Sequence, residues 1–295
     1  MSNHQRANTG FNSRKAVGDT KGEYPSSSVR RDFLAIPPEL NGRISRHGYR
    51  GRIASRHLHE EVEMNLAFHG SAAYLVGKRR YRLAPGAMIW LFPGQDHILV
   101  DESPDFRMWV FVARPVVART LAKRGAEYAV LAEDDPDGSF VRRVDDAELG
   151  RLLALCEVVE AQIDDPVSYN CAIEFAAAAS WRAFLRAAAT DSIGLHPAVE
   201  CAVRLLHGEE DGATIERLAQ ETGLSASRLS RLFRAQVGVP IAAFRNAQRL
   251  ERFHRLRERA PYLNLAAAAL EAGFGSYAQF YRVYVAAHGR GPAGR

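Results

Sequence analysis

Residues 218–233 have the sequence LAQETGLSASRLSRLF. Its apolar residues return at helical spacing on both sides of Gly223, with Leu224 directly after the glycine and Leu229, Leu232 and Phe233 further on. Two short helices joined by a turn of three or four residues, with glycine supplying the bend, fit this pattern. Ser225 is then the natural N-cap of the second helix.

The pattern occurs twice. TIERLAQETGLSASRLSRLFRAQVGVP starts at Thr214 and LNLAAAALEAGFGSYAQFYRVYVAAHGRGP at Leu263. Gly223 is matched by Gly273, Leu224 by Phe274, and the closing Gly238 and Pro240 by Gly289 and Pro292. The intervening IAAFRNAQRLERFHRLRERA predicts one longer helix holding the two units at a fixed offset. Two helix-turn-helix units so joined can set two recognition helices into successive major-groove segments on one face of double-stranded DNA.

Leu229, Phe233, Phe280 and Tyr284 are the expected packing residues. That leaves Ser227, Ser230 and Arg231 exposed on the first recognition helix, and Tyr277, Ala278, Gln279 and Arg282 on the second. Arg231 and Arg282 are the candidates for reading base edges, because the guanidinium fork matches guanine bidentately. Arg228, Arg234, Arg245 and Arg249 are divided between phosphate contacts and ion pairs within the domain.

Charge agrees with this. The 295-residue chain carries a formal net charge of +5. From His196 onward there are 14 arginines and no lysine against nine acidic residues, so the positive surplus is local and entirely arginine. Solvated helix faces give such counts too, and the repeat carries the weight.

LAQETGLSASRLSRLF, Arg249-Leu250 and AGFGSYAQFYRVYVAAHGRGP together resemble the AraC/XylS-type transcriptional regulators over roughly residues 195–295. The resemblance implies that Arg231 and Arg282 read bases and that Ser227, Ser230, Tyr277 and Gln279 set operator preference. The second unit departs from the family pattern at Gly275-Ser276, at Tyr284 in place of the usual phenylalanine, and at Ala266–Ala269. Looser packing is expected there.

Upstream the period changes. Between about Phe33 and Arg114, short alternating runs bounded by glycine and proline, with a hairpin turn at Gly77-Lys78, predict an antiparallel barrel or sandwich. Within GRIASRHLHEEVEMNLAFHG (51–70), His57, His59, Glu61, Glu63 and Asn65 share one strand face by parity. His97, after the turn in PGQDH, belongs to a neighbouring strand. Three histidines and a carboxylate converging inside a barrel suit iron, manganese, nickel or zinc.

The spacing resembles the cupin family. Gly51, His57-x-His59, Glu63 and Gly70 reproduce its first motif, and Gly86, Gly94 and His97 its second. Pro93 adjoins Gly94 instead of standing one residue earlier, and Asp101 replaces the usual asparagine. The resemblance implies His57, His59, Glu63 and His97 as metal ligands. Three uses stay open: a bound divalent metal, a metal-free pocket whose side chains hydrogen-bond an effector, or barrel polarity alone. Tyr74, Trp90 and Trp109, with Phe92 and Met108, are candidates for the effector pocket. Arg50, Arg52 and Arg56 nearby suit either a carboxylate-bearing effector or solvent.

The expected organisation is a disordered tail over 1–30, a cupin-like all-β sensing barrel over 31–140, a helical linker over 141–190, and an all-α tandem helix-turn-helix domain over 191–295. In the linker, ELGRLLALCEVVEAQ and YNCAIEFAAAASWRAFLRAAA read as helices that can serve a homodimer or pack within the chain. Cys156, Cys171 and Cys201 form no CxxC pair, which argues against a disulfide framework and a cysteine zinc site. No apolar run follows the basic, polar N-terminus, so no signal peptide or membrane partner is expected, and a cytoplasmic protein is.

The function these readings imply is a one-component, sequence-specific transcription regulator, not an enzyme, which senses a small molecule or metal. RNA polymerase is a further partner if it activates. The competing readings are a metal-dependent cupin enzyme (dioxygenase or isomerase type) fused to a DNA-binding module, and a DNA-binding scaffold whose barrel serves only assembly.

Overall fold

The computed structural model describes residues 30–31, 34–49, 57–207 and 214–292. The chain first lays down nine strands: β1 (Arg30–Arg31), β2 (Gly42–Gly48), β3 (His57–Leu58), β4 (Val62–His69), β5 (Ala72–Val76), β6 (Arg79–Leu83), β7 (Ala87–Leu91), β8 (His97–Val100) and β9 (Arg107–Ala113). The predicted turn at Gly77-Lys78 joins β5 to β6. Helix α1 (Pro115–Ala122), a 3-10 turn (Ala126–Ala132) and β10 (Val141–Arg143) lead into the long helices α2 (Asp146–Glu160) and α3 (Pro166–Arg186). Two short strands, β11 (Ala188–Ala189) and β12 (Ser192–Gly194), precede the C-terminal helices. These are α4 (Pro197–His207), α5 (Ile215–Thr222), α6 (Ala226–Val237), α7 (Ile241–Arg259), α8 (Leu265–Glu271) and α9 (Tyr277–His288).

The strands form two six-stranded sheets, ordered β1-β3-β8-β5-β6-β12 and β11-β10-β7-β4-β9-β2. Alternate side chains of the two sheets meet in a common interior. Tyr74, Tyr81, Leu83 and Leu99 come from the first sheet, and Ala67, Ala87, Ile89, Leu91 and Met108 from the second. The outer faces are covered as well. Met64, Leu66, Trp90 and Trp109 on the second sheet pack against Tyr169, Ile173, Ala177 and Trp181 of α3. Ala73, Leu75, Ile98 and Val100 on the first sheet share a core with Val199, Leu218, Leu229, Phe233 and Phe244 of the C-terminal helices. The order of layers is therefore helices, sheet, barrel interior, sheet, C-terminal helices.

β10 and β12 were not expected from the sequence. Val141–Arg143 pairs with β7 inside the second sheet, and Ser192–Gly194 pairs with β6 at the edge of the first. At two or three residues, such strands carry too little alternation to register as a pattern. Of the N-terminal tail, only Arg30 lies among the described residues; Arg50, Gly51, Arg52 and Arg56 also fall outside them.

The duplicated turn extends to individual hydrogen bonds. Gly223 takes φ +66° as the C-cap of α5, and the Leu224 amide donates back to the Ala219 carbonyl at 3.1 Å. Gly273 takes φ +91°, and the Phe274 amide donates to the Ala269 carbonyl at 3.1 Å. Both are the glycine-terminated helix end whose left-handed residue lets a sixth amide reach back to the first carbonyl. Ser225 caps α6 by accepting from the Arg228 amide, and Ser276 caps α9 by accepting from the Gln279 amide. The Gly275-Ser276 departure thus preserves the cap. Leu229, Phe233 and Phe280 are fully buried, whereas Tyr284 is half-buried. The second unit has a separate core of Leu250, Phe253, Ala268, Ala269, Ala272, Phe274 and Phe280, three of which are alanines.

Candidate sensing pocket and DNA-reading helices

β3 and β8 are antiparallel neighbours with His57 directly opposite His97. The chain bends after β3, turning His59 into the barrel above Glu63 and Asn65 of β4. Side-chain nitrogens of His57, His59 and His97 all lie within 4.8 Å of one another. The His57 and His97 ring centroids are 4.3 Å apart, and those of His59 and His97 are 5.2 Å apart.

Each neighbour has a defined part. His59 Nδ1 faces the Glu61 carbonyl at 2.9 Å, and its Nε2 meets Glu63 Oε2 at 3.2 Å. Asn65 donates from Nδ2 to Glu63 Oε1 at 2.6 Å and to the Tyr74 hydroxyl at 3.1 Å. His97 Nδ1 faces the Gln95 carbonyl at 3.0 Å, while its Nε2 is buried without a hydrogen-bond partner.

Electrostatics separates these groups. Burial disfavours the charged form of His97, and the nearby His57 adds to this, so its pKa falls to about 3. Burial alone would raise Glu63, but the His59 hydrogen bond, the charges of His97 and His59 and the Asn65 amide outweigh it and hold the carboxyl down at about 2. For His59, burial is opposed by the hydrogen bond and charge of Glu63, and the pKa is raised. Burial, with Glu63 close by, pushes the Tyr74 hydroxyl up, so it stays a neutral phenol.

Of the four expected ligands, the three histidines converge, while Glu63 is turned onto His59 and Asn65. A buried imidazole lone pair without a partner, beside two more imidazoles, is a donor set that fits a borderline divalent cation. The three histidines could hold one, His59 ligating through Nε2 in exchange for its bond to Glu63 while Nδ1 stays on the Glu61 carbonyl, the outer partner that orients the ring.

The pocket lining needs correction. Tyr74 points inward beside the cluster, its ring centroid 6.0 Å from that of His97. Trp90 and Trp109 do not. Trp90 pairs with Met64, Trp109 with Leu66, and all four belong to the outer face of the second sheet. Trp90 packs edge-on to Trp181 of α3 with 5.3 Å between centroids, and Arg46 lies over the Trp109 ring at 4.5 Å. Phe92 goes with them, whereas Met108 faces the interior. Sheet parity separates two faces but does not say which is inside, and here both are buried. Asn65 is the interior residue missing from the expected site; it shares strand parity with Glu63.

In the helical half, Ser227, Arg228, Ser230 and Arg231 are exposed on α6, and Tyr277 and Arg282 on α9. Gln279 instead turns back, its Oε1 accepting from the Gly275 amide at 3.0 Å. Ser230, Arg231, Arg234 and Arg245 line a cleft of about 700 Å³ that also takes in Thr214 at the start of α5 and Pro240 before α7. Tyr281, exposed beside Tyr277 on α9, also lies on that helix's open side. Arg249 lies over the Phe274 ring at 6.0 Å, a contact within the domain.

Comparison with known proteins follows the same division. Residues 42–155 match the AraC-like ligand binding domain, and residues 218–294 match a helix-turn-helix domain. Between them these take in more than half of the chain, which belongs to the AraC-type family: a DNA-binding transcription regulator with a cupin-like ligand-binding domain. These are the families of a regulator and not of a dioxygenase or isomerase. Among solved structures, a substituted apo form of ToxT from Vibrio cholerae is 11% identical, covering 86% of this chain and 96% of its own, with a TM-score of 0.36. The AraC-like transcriptional activator CuxR is 16% identical over 72% of each chain, with a TM-score of 0.32. A cupin 2 conserved barrel domain protein from Salinispora arenicola is 24% identical, covering 31% of this chain and 81% of its own, with a TM-score of 0.24. A search of curated proteins gives no match. No helix among the described residues is long and apolar enough to cross a membrane.

Proposed function

We propose that this regulator senses through a divalent metal, iron, manganese, nickel or zinc, held by His57, His59 and His97. One observation carries the reading: His97 Nε2 is buried with no hydrogen-bond partner while Nδ1 is anchored to the Gln95 carbonyl. An unpartnered polar atom in a barrel interior is destabilising by about 1–3 kcal/mol, and a cation would satisfy it. When bound, the metal supplies a positive charge and open positions for an effector's oxygen atoms. The Glu61 carbonyl holds His59 Nδ1 and fixes that ring. Asn65 and Tyr74 present polar groups beside it.

The second reading is an effector bound directly by these side chains. It is supported by Asn65 Oδ1, which is also buried without a partner and would accept from a donor on such a ligand. Metal analysis of protein purified without added metal separates the two. Stoichiometric metal that His57→Ala and His97→Ala lose supports the first; metal-free protein whose effector response needs Asn65 supports the second.

The signal has a short route. β8 carries His97 on its inner face and Ile98 and Val100 on its outer face, where they share a core with Phe233 and Val237 of α6. A shift of His97 on ligation therefore bears on the seat of the first recognition helix. The DNA contacts in this reading are Arg231 and Arg282 to base edges, with Ser227, Arg228, Ser230 and Tyr277 around them, and Gln279 shaping the start of α9. Val158 on α2 and Val167 and Phe175 on α3 are exposed apolar side chains available to a homodimer. RNA polymerase is the further partner if bound protein activates, and the cytoplasm is where the operator would be met. Gel retardation of promoter fragments by the full chain, with Arg231→Ala as the comparison, tests the DNA contacts.

A further inference from the structure

Away from the barrel, α7 and α9 bring two more imidazoles together. His254 Nε2 and His288 Nε2 lie 3.2 Å apart. His288 Nδ1 sits 2.9 Å from the Tyr284 carbonyl, so its proton belongs on Nδ1 and its lone pair on Nε2. The His288 ring is stacked on Tyr284, with centroids 4.1 Å apart and planes 15° apart, and Tyr284 also flanks His254 at 5.8 Å. Both rings are held and half-buried. They border a cleft of about 260 Å³ between the two helices, whose polar lining includes Asn246 and Glu251.

We propose that His254 and His288 form a second metal site, for an imidazole-preferring divalent ion such as zinc, copper or nickel, that ties α7 to the last turn of the second recognition helix. At metal–nitrogen bonds of about 2.1 Å, two imidazoles stand roughly 3.0 Å apart at a right angle and roughly 3.4 Å apart at a tetrahedral angle. The observed 3.2 Å lies between them. The His288–Tyr284 carbonyl bond is the arrangement that orients a ligating imidazole and keeps its other nitrogen available. His254 needs only to carry its proton on Nδ1 for both Nε2 lone pairs to meet the ion. The cleft leaves room for water to complete the coordination.

The second unit has reason to use such a tie. Its core is built around Ala268, Ala269 and Ala272, and α9 buries only Phe280 fully. An ion that binds only the folded arrangement shifts the unit toward it. Metal would then favour α9 seated for DNA independently of the barrel. This effect on DNA rests on the DNA-reading assignment of α9; metal binding itself does not.

The test uses the full chain stripped by chelator and titrated with zinc, in four forms: native, His97→Ala, His254→Gln and His288→Gln. Glutamine keeps a hydrogen-bonding side chain but removes the imidazole donor, so it distinguishes coordination from a histidine–histidine hydrogen bond. Beyond any zinc held in the barrel, one equivalent should bind natively, persist in His97→Ala, and weaken at least about tenfold in each glutamine variant. Zinc should also slow hydrogen exchange across 280–288 only where both histidines are present. Glutamine variants with native far-ultraviolet dichroism that bind as much zinc as the native chain, or native protein whose α9 exchange ignores zinc, overturn the site. Zinc binding and α9 protection without any change in operator affinity would keep the site and remove its proposed link to DNA.

Discussion

Asp101, at the end of β8, packs its side chain against Gly238, the C-cap of α6. Asp101 has a left-handed backbone at φ +55°, a conformation aspartate and asparagine tolerate better than most residues. Gly238 is left-handed at φ +88°, and a Cβ placed there would collide with the Asp101 side chain. Arg80 on β6 holds Asp101 from the other side through a 2.7 Å ion pair. The strand that carries His97 thus ends on the cap of the first recognition helix.

Gly238→Ala should therefore be among the more damaging changes in the chain. The left-handed backbone alone costs about 1–2 kcal/mol with a Cβ present, and the collision adds to it. Asp101→Ala should fold, with DNA affinity close to native and a smaller change in operator occupancy on metal or effector addition. Fluorescence anisotropy of labelled operator, with and without chelator, measures this. A full response in Asp101→Ala would show that the signal does not pass through this contact.

Arg231→Ala should weaken binding to the true operator by about 1–3 kcal/mol and relax preference at one base position. Arg282→Ala should do the same at a position about one helical turn away. Salt titration provides the check, because substitution of a phosphate-contacting arginine lowers all duplexes alike and flattens the salt slope.

The tryptophan correction is testable by contrast. Trp181→Ala should cost about 3–5 kcal/mol of stability, since it removes a buried ring that Trp90 and Phe184 pack against. Trp90→Phe should lower the melting temperature yet leave effector or metal affinity unchanged. Loss of affinity in a variant of native stability would return Trp90 to the pocket.

Acid should destabilise the chelated protein in a defined order. His97 titrates near 3 in the fold against 6.5 in the free chain. Below pH 6.5 the unfolded chain therefore takes up a proton that the folded chain refuses, and stability falls as pH drops toward 3. Glu63, depressed from 4.5 to about 2, adds a second fall between those values. His59, raised, acts the other way: its contribution is complete below pH 6.5 and is lost as pH rises through its folded value. Urea unfolding at a series of pH values should show the first fall steepened by Glu63 below 4.5 and reduced in His97→Phe.

The tandem helix-turn-helix was legible because its signals are local. Glycine at the bend, serine before each recognition helix and apolar residues one turn apart act within a few residues of each other. The barrel histidines were legible for a related reason, since His57, His59 and Glu63 sit within one short stretch. For Glu63, parity shows only that it faces inward. Its bond to His59 joins β4 to the segment after β3, which parity does not reveal. Strands β10 and β12 were missed because three residues hold too little pattern, and their partners lie far along the chain.

By itself, then, the sequence determined the two kinds of module, the doubled glycine turn and the presence of three imidazoles in one barrel, because propensity, capping and periodicity are written in neighbouring residues. Only the tertiary structure decided which face of each sheet is interior, that Trp90 and Trp109 belong to the helices, and that β8 ends on Gly238. Those outcomes depend on which surfaces cover one another. With both faces of both sheets buried, hydrophobic alternation points equally well in either direction.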